Sequence, residues 1–189
     1  PCKAPAQRFN PKAGEEALLI PAGATLICCA PDGRIRWRRQ LDQEIVTRPE
    51  VFVAGGREMI LCGTTSGALF ALSFEGEILW RCDTGDTFSN WIVFLPRRDD
   101  PPLILFTGLW GNLHAVDAQG RQVWTHLFRS KTRAAPLVAD TEADGRFEVY
   151  VPTFHQHVYA FDETGALTDD VRLSGIMPAA MTTIASREG

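Results

Sequence analysis

The chain has 189 residues, 45% of them apolar, with 11 Phe and 5 Trp, which suits one domain with a real core and excludes a disordered chain. No run of about 18 apolar residues occurs, so no membrane span is expected. The formal charge is −4 and the pair Arg97–Arg98 is cancelled at once by Asp99–Asp100, which argues against a nucleic-acid partner, because neutralising phosphates takes clustered Lys and Arg.

Residues 1–16 read as a lead-in to four copies of one pattern, at 17–58, 59–102, 103–147 and 148–189. The first copy has apolar runs Ala17–Ile20 and Thr25–Cys28, a turn at Gly33, the alternating Arg34-Ile35-Arg36-Trp37, and a fourth run Glu50–Val53. The second has Met59–Cys62, Ala68–Leu72, Gly76, Glu77-Ile78-Leu79-Trp80 and Trp91–Leu95. The third has Leu103–Phe106, Asn112–Val116, Gly120, Arg121-Gln122-Val123-Trp124 and Pro136–Ala139. The fourth has Val149–Val151, Val158–Phe161, Gly165, Asp169 in the tryptophan position, and Ala179–Ile184.

One register runs through all four copies: a small residue (Cys28, Ala71, Ala115, Ala160), Gly five positions on, and Trp four positions after that, replaced by Asp169 in the last. The glycines are 43, 44 and 45 residues apart. Short apolar runs and period-two alternation are strand signals, and no stretch has a helical period. Four strands in each period of about 44 residues is the pattern of a propeller blade. The expected fold is therefore all-β: four four-stranded antiparallel blades of β-propeller type. A closed four-bladed ring, a partial ring cut from a larger one, and a ring completed by a second copy all remain open. The glycines suit hairpin turns that need positive φ, and the tryptophans suit packing between blades.

The strings Leu113-His-Ala-Val-Asp-Ala-Gln-Gly-Arg-Gln-Val-Trp124 and Val158-Tyr-Ala-Phe-Asp-Glu-Thr-Gly165 resemble quinoprotein-type (PQQ-like) β-propeller repeats, whose tryptophan-docking motif is Ala-x-Asp, a turn with Gly, then Trp. Ala30 and Ser73 stand where that motif has Asp, and the turn is one residue shorter than its commonest form. The resemblance covers residues 17–184 and implies the fold; propellers host many functions.

Asp140, Glu142, Asp144 and Glu148, with Gly145, form an acidic loop with hard oxygen ligands at the spacing that suits Ca²⁺. The loop also resembles the calcium loop of FG-GAP-type repeats, although its glutamates are longer than the usual Asp or Asn. The alternative is a solvated loop between strands. Ser66, Trp110 and His155 occupy equivalent turns, hence one end of the propeller, and Trp110 and Phe154 place apolar groups at loop tips. That end is the expected ligand or partner face. Cys28–Cys29 is adjacent, as in the vicinal disulfide of quinoprotein alcohol dehydrogenases, but Cys28 fills the small core position held elsewhere by Ala, and PQQ is not expected here.

Five cysteines without a C-x-x-C pair argue against a zinc site and leave the redox compartment open. The chain begins at Pro1 without Met, so it is expected to be processed or part of a longer, extracytoplasmic polypeptide. No G-x-S-x-G elbow, Walker loop, G-x-G-x-x-G or H-E-x-x-H occurs. The expected role is a non-catalytic binding or scaffolding module with a protein or glycan partner. The alternatives are a propeller fragment of a quinone-dependent dehydrogenase and an accessory propeller of a polysaccharide-active enzyme.

Overall fold

A computed structural model describes residues 4–12, 15–132 and 134–174. Sixteen strands form four antiparallel sheets of four, each a simple meander. Sheet 1 holds β1 (Gln7–Lys12), β2 (Glu15–Ala22), β3 (Thr25–Cys29) and β4 (Ile35–Gln40). Sheet 2 holds β5 (Glu50–Ala54), β6 (Arg57–Gly63), β7 (Ala68–Leu72) and β8 (Ile78–Asp83). Sheet 3 holds β9 (Phe88–Leu95), β10 (Leu103–Gly108), β11 (Asn112–Val116) and β12 (Gln122–Leu127). Sheet 4 holds β13 (Leu137–Ala139), β14 (Glu148–Pro152), β15 (His157–Phe161) and β16 (Leu167–Arg172). Among the described residues there is no helix, and so none long and apolar enough to cross a membrane.

The sheets are cut one strand earlier than the sequence periods. The run expected to finish one copy opens the next sheet: β5 pairs with β6, β9 with β10, and β13 with β14. The reason is chain length: Gly55 and Gly56 close a tight hairpin from β5 to β6, whereas residues 41–49 separate β5 from β4. Correspondingly, β1 lies inside the segment 1–16 that reads as a lead-in, and Ala179–Ile184 falls outside the described residues.

Side chains alternate between the faces of a strand, and each inner sheet is buried on both. In β6, Ile60 and Cys62 join Leu19, Leu26 and Cys28 of sheet 1, while Met59 and Leu61 join Ile104 and Phe106 of sheet 3. In β10, Leu103 and Leu105 face the other way, onto Val149, Val151 and Phe161 of sheet 4. Double burial explains why these strands read as unbroken apolar runs. Three cores thus lie between successive sheets, and none joins sheet 1 to sheet 4. The array is open, which corrects the closed four-bladed ring for the described residues.

The recurring tryptophans connect the sheets. Trp37 Nε1 donates to the Phe74 carbonyl (2.7 Å) and Trp80 Nε1 to the Ala118 carbonyl (3.0 Å), each in the last hairpin of the following sheet. Each ring covers the turn glycine of that hairpin: a Cβ on Gly76 would lie 2.7 Å from the Trp37 ring, and one on Gly120 2.6 Å from that of Trp80. These glycines also have φ of +85° and +80°, so both the backbone and the approach of the indole require Gly. Trp124 covers Gly165 in the same way, but its Nε1 has no partner among the described residues.

The hairpins themselves are braced by a side chain at the motif's Asp position. Asp117 Oδ1 accepts from the amides of Gln119 and Arg121, and Asp162 Oδ1 from those of Thr164 and Ala166. In sheet 2, Ser73 Oγ accepts from Glu75 and Glu77, so serine replaces the carboxylate in kind. Burial pushes Asp162 up, but the bonds from Thr164, Ala166 and Gly165 outweigh it and hold the carboxyl below its ordinary value.

On sheet 4 the row that reads Leu–Ala–Trp in sheets 2 and 3 and Leu–Cys–Trp in sheet 1 is Tyr150–Ala160–Asp169, and all of β16 is exposed. This outer face carries an acidic cleft of about 400 Å³, lined among others by Glu148, Tyr150, Asp162, Glu163 and Asp169.

Candidate binding face

One end of the array gathers the turns 64–67, 109–111 and 153–156 together with the connections 41–49, 84–87 and 128–136. The three turns are equivalent, and each is fixed from two directions. The preceding connection supplies a carbonyl to one amide of each turn: Glu44 to Thr65 (2.9 Å), Thr87 to Leu109 (2.8 Å) and Lys131 to Phe154 (3.0 Å). The turn's last carbonyl accepts from beyond the fourth strand of its own sheet: Gly67 from Thr84, Gly111 from Phe128, Gln156 from Leu173. Gly111 has φ +89°, and a Cβ there would strike the Ser130 carbonyl. Gln156 holds the equivalent place at φ +66° without being glycine.

A polar side chain of each connection adds a third tie. Asp42 Oδ2 accepts from Ser66 Oγ (2.9 Å), Asp86 Oδ1 from the Trp110 amide (3.3 Å), and Ser130 Oγ from the His155 amide (3.3 Å). Asp86 is the most deeply buried of this set, 3% exposed. Its Oδ2 also accepts from Asn112 Nδ2 at 2.7 Å, and a Cβ on Gly108 would collide with the carboxylate. His114 Nε2 stands 3.8 Å from Asp86 Oδ2 and makes no hydrogen bond among the described residues. Burial lowers the His114 pKa, with the Asp86 carboxylate pulling the other way. The ring stacks on Phe106 and is held as a neutral core imidazole.

On this frame Trp110 is 69% exposed, and Leu109 and Phe154 are each 46% exposed. With Lys131 and Thr132 they line a concavity of about 220 Å³. The structure thus brings together two of the four residues expected to form a partner face, Trp110 and Phe154. Ser66 and His155 occupy the equivalent turns on either side and are exposed, but they do not line the concavity. His157, on the neighbouring strand, is held by Asp170, with Nδ1 2.5 Å from Oδ1. Sequence reasoning missed Asp86, Leu109, Lys131 and Thr132. The signal for Asp86 was present: Asp42, Asp86 and Ser130 recur at the repeat spacing.

The acidic loop is held by its own hydrogen bonds. Asp140 accepts from the amides of Asp144 (3.1 Å) and Gly145 (2.9 Å), Asp144 from Arg146 (2.8 Å), and Glu148 from the amide and hydroxyl of Thr141. Asp140, Asp144 and Glu148 thereby close the loop on itself, and Glu142, Asp144 and Glu148 also line the acidic cleft on sheet 4. No group of three or more His, Cys, Asp or Glu side chains placed to hold a metal occurs among the described residues. Cys28 and Cys29 are buried free thiols, and burial raises the pKa of Cys28. Cys28 packs in the core between sheets 1 and 2, as its alignment with Ala implies.

The fold and the tryptophan-docked hairpins define a class: an open array of propeller blades. A family model described as outer membrane protein assembly factor BamB, of the PQQ-like repeat type, matches residues 75–168, just under half of the chain, and supports PQQ-like β-propeller repeats here. Among solved structures it is similar to BBS1N in complex with ARL6DN (TM-score 0.68, 17% identity, covering 90% of this chain and 55% of that one). It is also similar to BamB from Moraxella catarrhalis (TM-score 0.63, 19% identity, 94% and 54% covered). A third is quinohemoprotein alcohol dehydrogenase from Comamonas testosteroni (TM-score 0.64, 15% identity, 84% and 34% covered). The chain spans about half the length of the first two. No curated protein matches it by sequence.

Proposed function

We propose that this chain is a non-catalytic propeller module that binds a protein partner through the end carrying Trp110 and Phe154. The observation that carries the reading is Trp110, 69% exposed on a turn whose backbone is tied at Leu109, Trp110 and Gly111. A large aromatic held rigidly in water loses little freedom on binding and buries much apolar area, as interface anchors do. The similar BBS1N structure is itself a complex with a protein, which supports this use of the fold. A photoreactive amino acid at position 110 should crosslink a protein in producing cells, and the same group at Gln119, in the hairpin at the other end of sheet 3, should not. Equal crosslinking from both positions, or none from position 110, would refute the reading.

A further inference from the structure

The chemistry of the concavity says more about its occupant, on the assumption that this end is the binding face. Its apolar wall is Leu109, Trp110 and Phe154. The remaining lining residues bring hydrogen-bond donors. Lys131 is exposed, and neither it nor Arg129 on the same connection forms a salt bridge with any described residue. Thr132 is 2% exposed, lines the concavity, and its hydroxyl has no hydrogen-bond partner among the described residues. Arg129, two residues before Lys131, and Gln156, two after Phe154, hold left-handed φ of +52° and +66°, strain of the kind that collects at ligand-binding segments. About 220 Å³ is below the ~300–1,000 Å³ of small-molecule sites and suits one or two side chains.

We infer that the concavity takes an acidic segment of a partner protein: a bulky apolar side chain enters between Trp110 and Phe154, and a neighbouring Asp or Glu carboxylate accepts from Lys131. Charge complementarity selects this occupant: exposed Lys131 lines the apolar wall, exposed Arg129 lies two residues before it, and neither is paired with an acid among the described residues.

The test is selection of a displayed random short-peptide library on the immobilised full chain. Enriched peptides are then remeasured by fluorescence polarisation on the wild type, Trp110→Ala and Lys131→Glu. Enriched peptides should pair a bulky apolar residue with Asp or Glu. Trp110→Ala should weaken them about thirtyfold. Lys131→Glu should weaken them about tenfold, an effect that shrinks in high salt. Converting the peptide's acids to amides should reproduce the Lys131→Glu loss, and amidating its C-terminus should not. Unchanged circular dichroism and melting, expected at so exposed a site, separate these losses from unfolding. Peptides lost in Trp110→Ala but indifferent to Lys131→Glu and to their own acids overturn this inference and leave the binding face standing. No enrichment, binding that survives Trp110→Ala, or Trp110-dependent binding to anionic lipid vesicles or glycans in place of peptides overturns both.

Discussion

The contact between Trp80 and Gly120 permits a quantitative test of how the blades are joined. Gly120→Ala meets two separate obstacles. A non-glycine residue at φ +80° costs about 1–2 kcal/mol. The new Cβ would also lie 2.6 Å from the Trp80 ring, an overpacking that costs about 1–3 kcal/mol because the indole is held at its other edge by the Ala118 carbonyl. The expected total is about 2–5 kcal/mol. Trp80→Ala removes most of a half-buried indole and its hydrogen bond, and is expected to cost about 3 kcal/mol. In the double variant the ring is gone and only the backbone term of Gly120→Ala remains. The two changes should therefore fall short of additivity by about 1–3 kcal/mol. Urea melts of the four proteins, followed by tryptophan fluorescence and far-ultraviolet dichroism, give the coupling. Additivity to within about 0.5 kcal/mol would show that the indole does not press on the glycine, and the docking account would fall.

Asp86→Ala removes the acceptor for the Trp110 amide and for Asn112, and should cost about 1–3 kcal/mol; hydrogen exchange at the Trp110 amide should rise, and unchanged protection would contradict the bracing role. His114 has a lowered pKa in the fold, so the unfolded chain takes up its proton first as pH falls. Stability should drop on acidification from the unfolded imidazole's value of about 6.5 toward the folded one, and His114→Phe, the residue at the equivalent position 70, should flatten that part of the pH profile. A slope left unchanged by the substitution would place the titration elsewhere. Asp140→Ala deprives two loop amides of their acceptor and should cost about 1 kcal/mol with or without calcium. A cost seen only when calcium is present, with wild-type melting raised by the ion, would make the loop a metal site.

The sequence by itself determined the repeat, the strands and the inter-blade anchors. A residue that must pack the same way in every blade recurs at one position: Cys28, Ala71 and Ala115 sit opposite Trp37, Trp80 and Trp124 because only a small side chain fits beside each indole. Apolar runs such as Met59–Cys62 likewise announced strands buried on both faces. The sequence also placed Trp110 and Phe154 at loop tips of one end, since turn positions follow from strand positions. The tertiary structure alone decided which strands share a sheet, because pairing follows hairpin length rather than the period of the motif. It alone showed that Ser73 does the work of Asp117 and Asp162, which is a matter of oxygen placement and not of residue type. How the acidic loop is closed is likewise tertiary: oxygens of Asp140, Asp144 and Glu148 accept from the loop's own amides. Leu109, Lys131 and Thr132 meet Phe154 and Trp110 only because the connection leaving sheet 3 passes beside the turn of sheet 4, a contact between distant segments that no local pattern encodes.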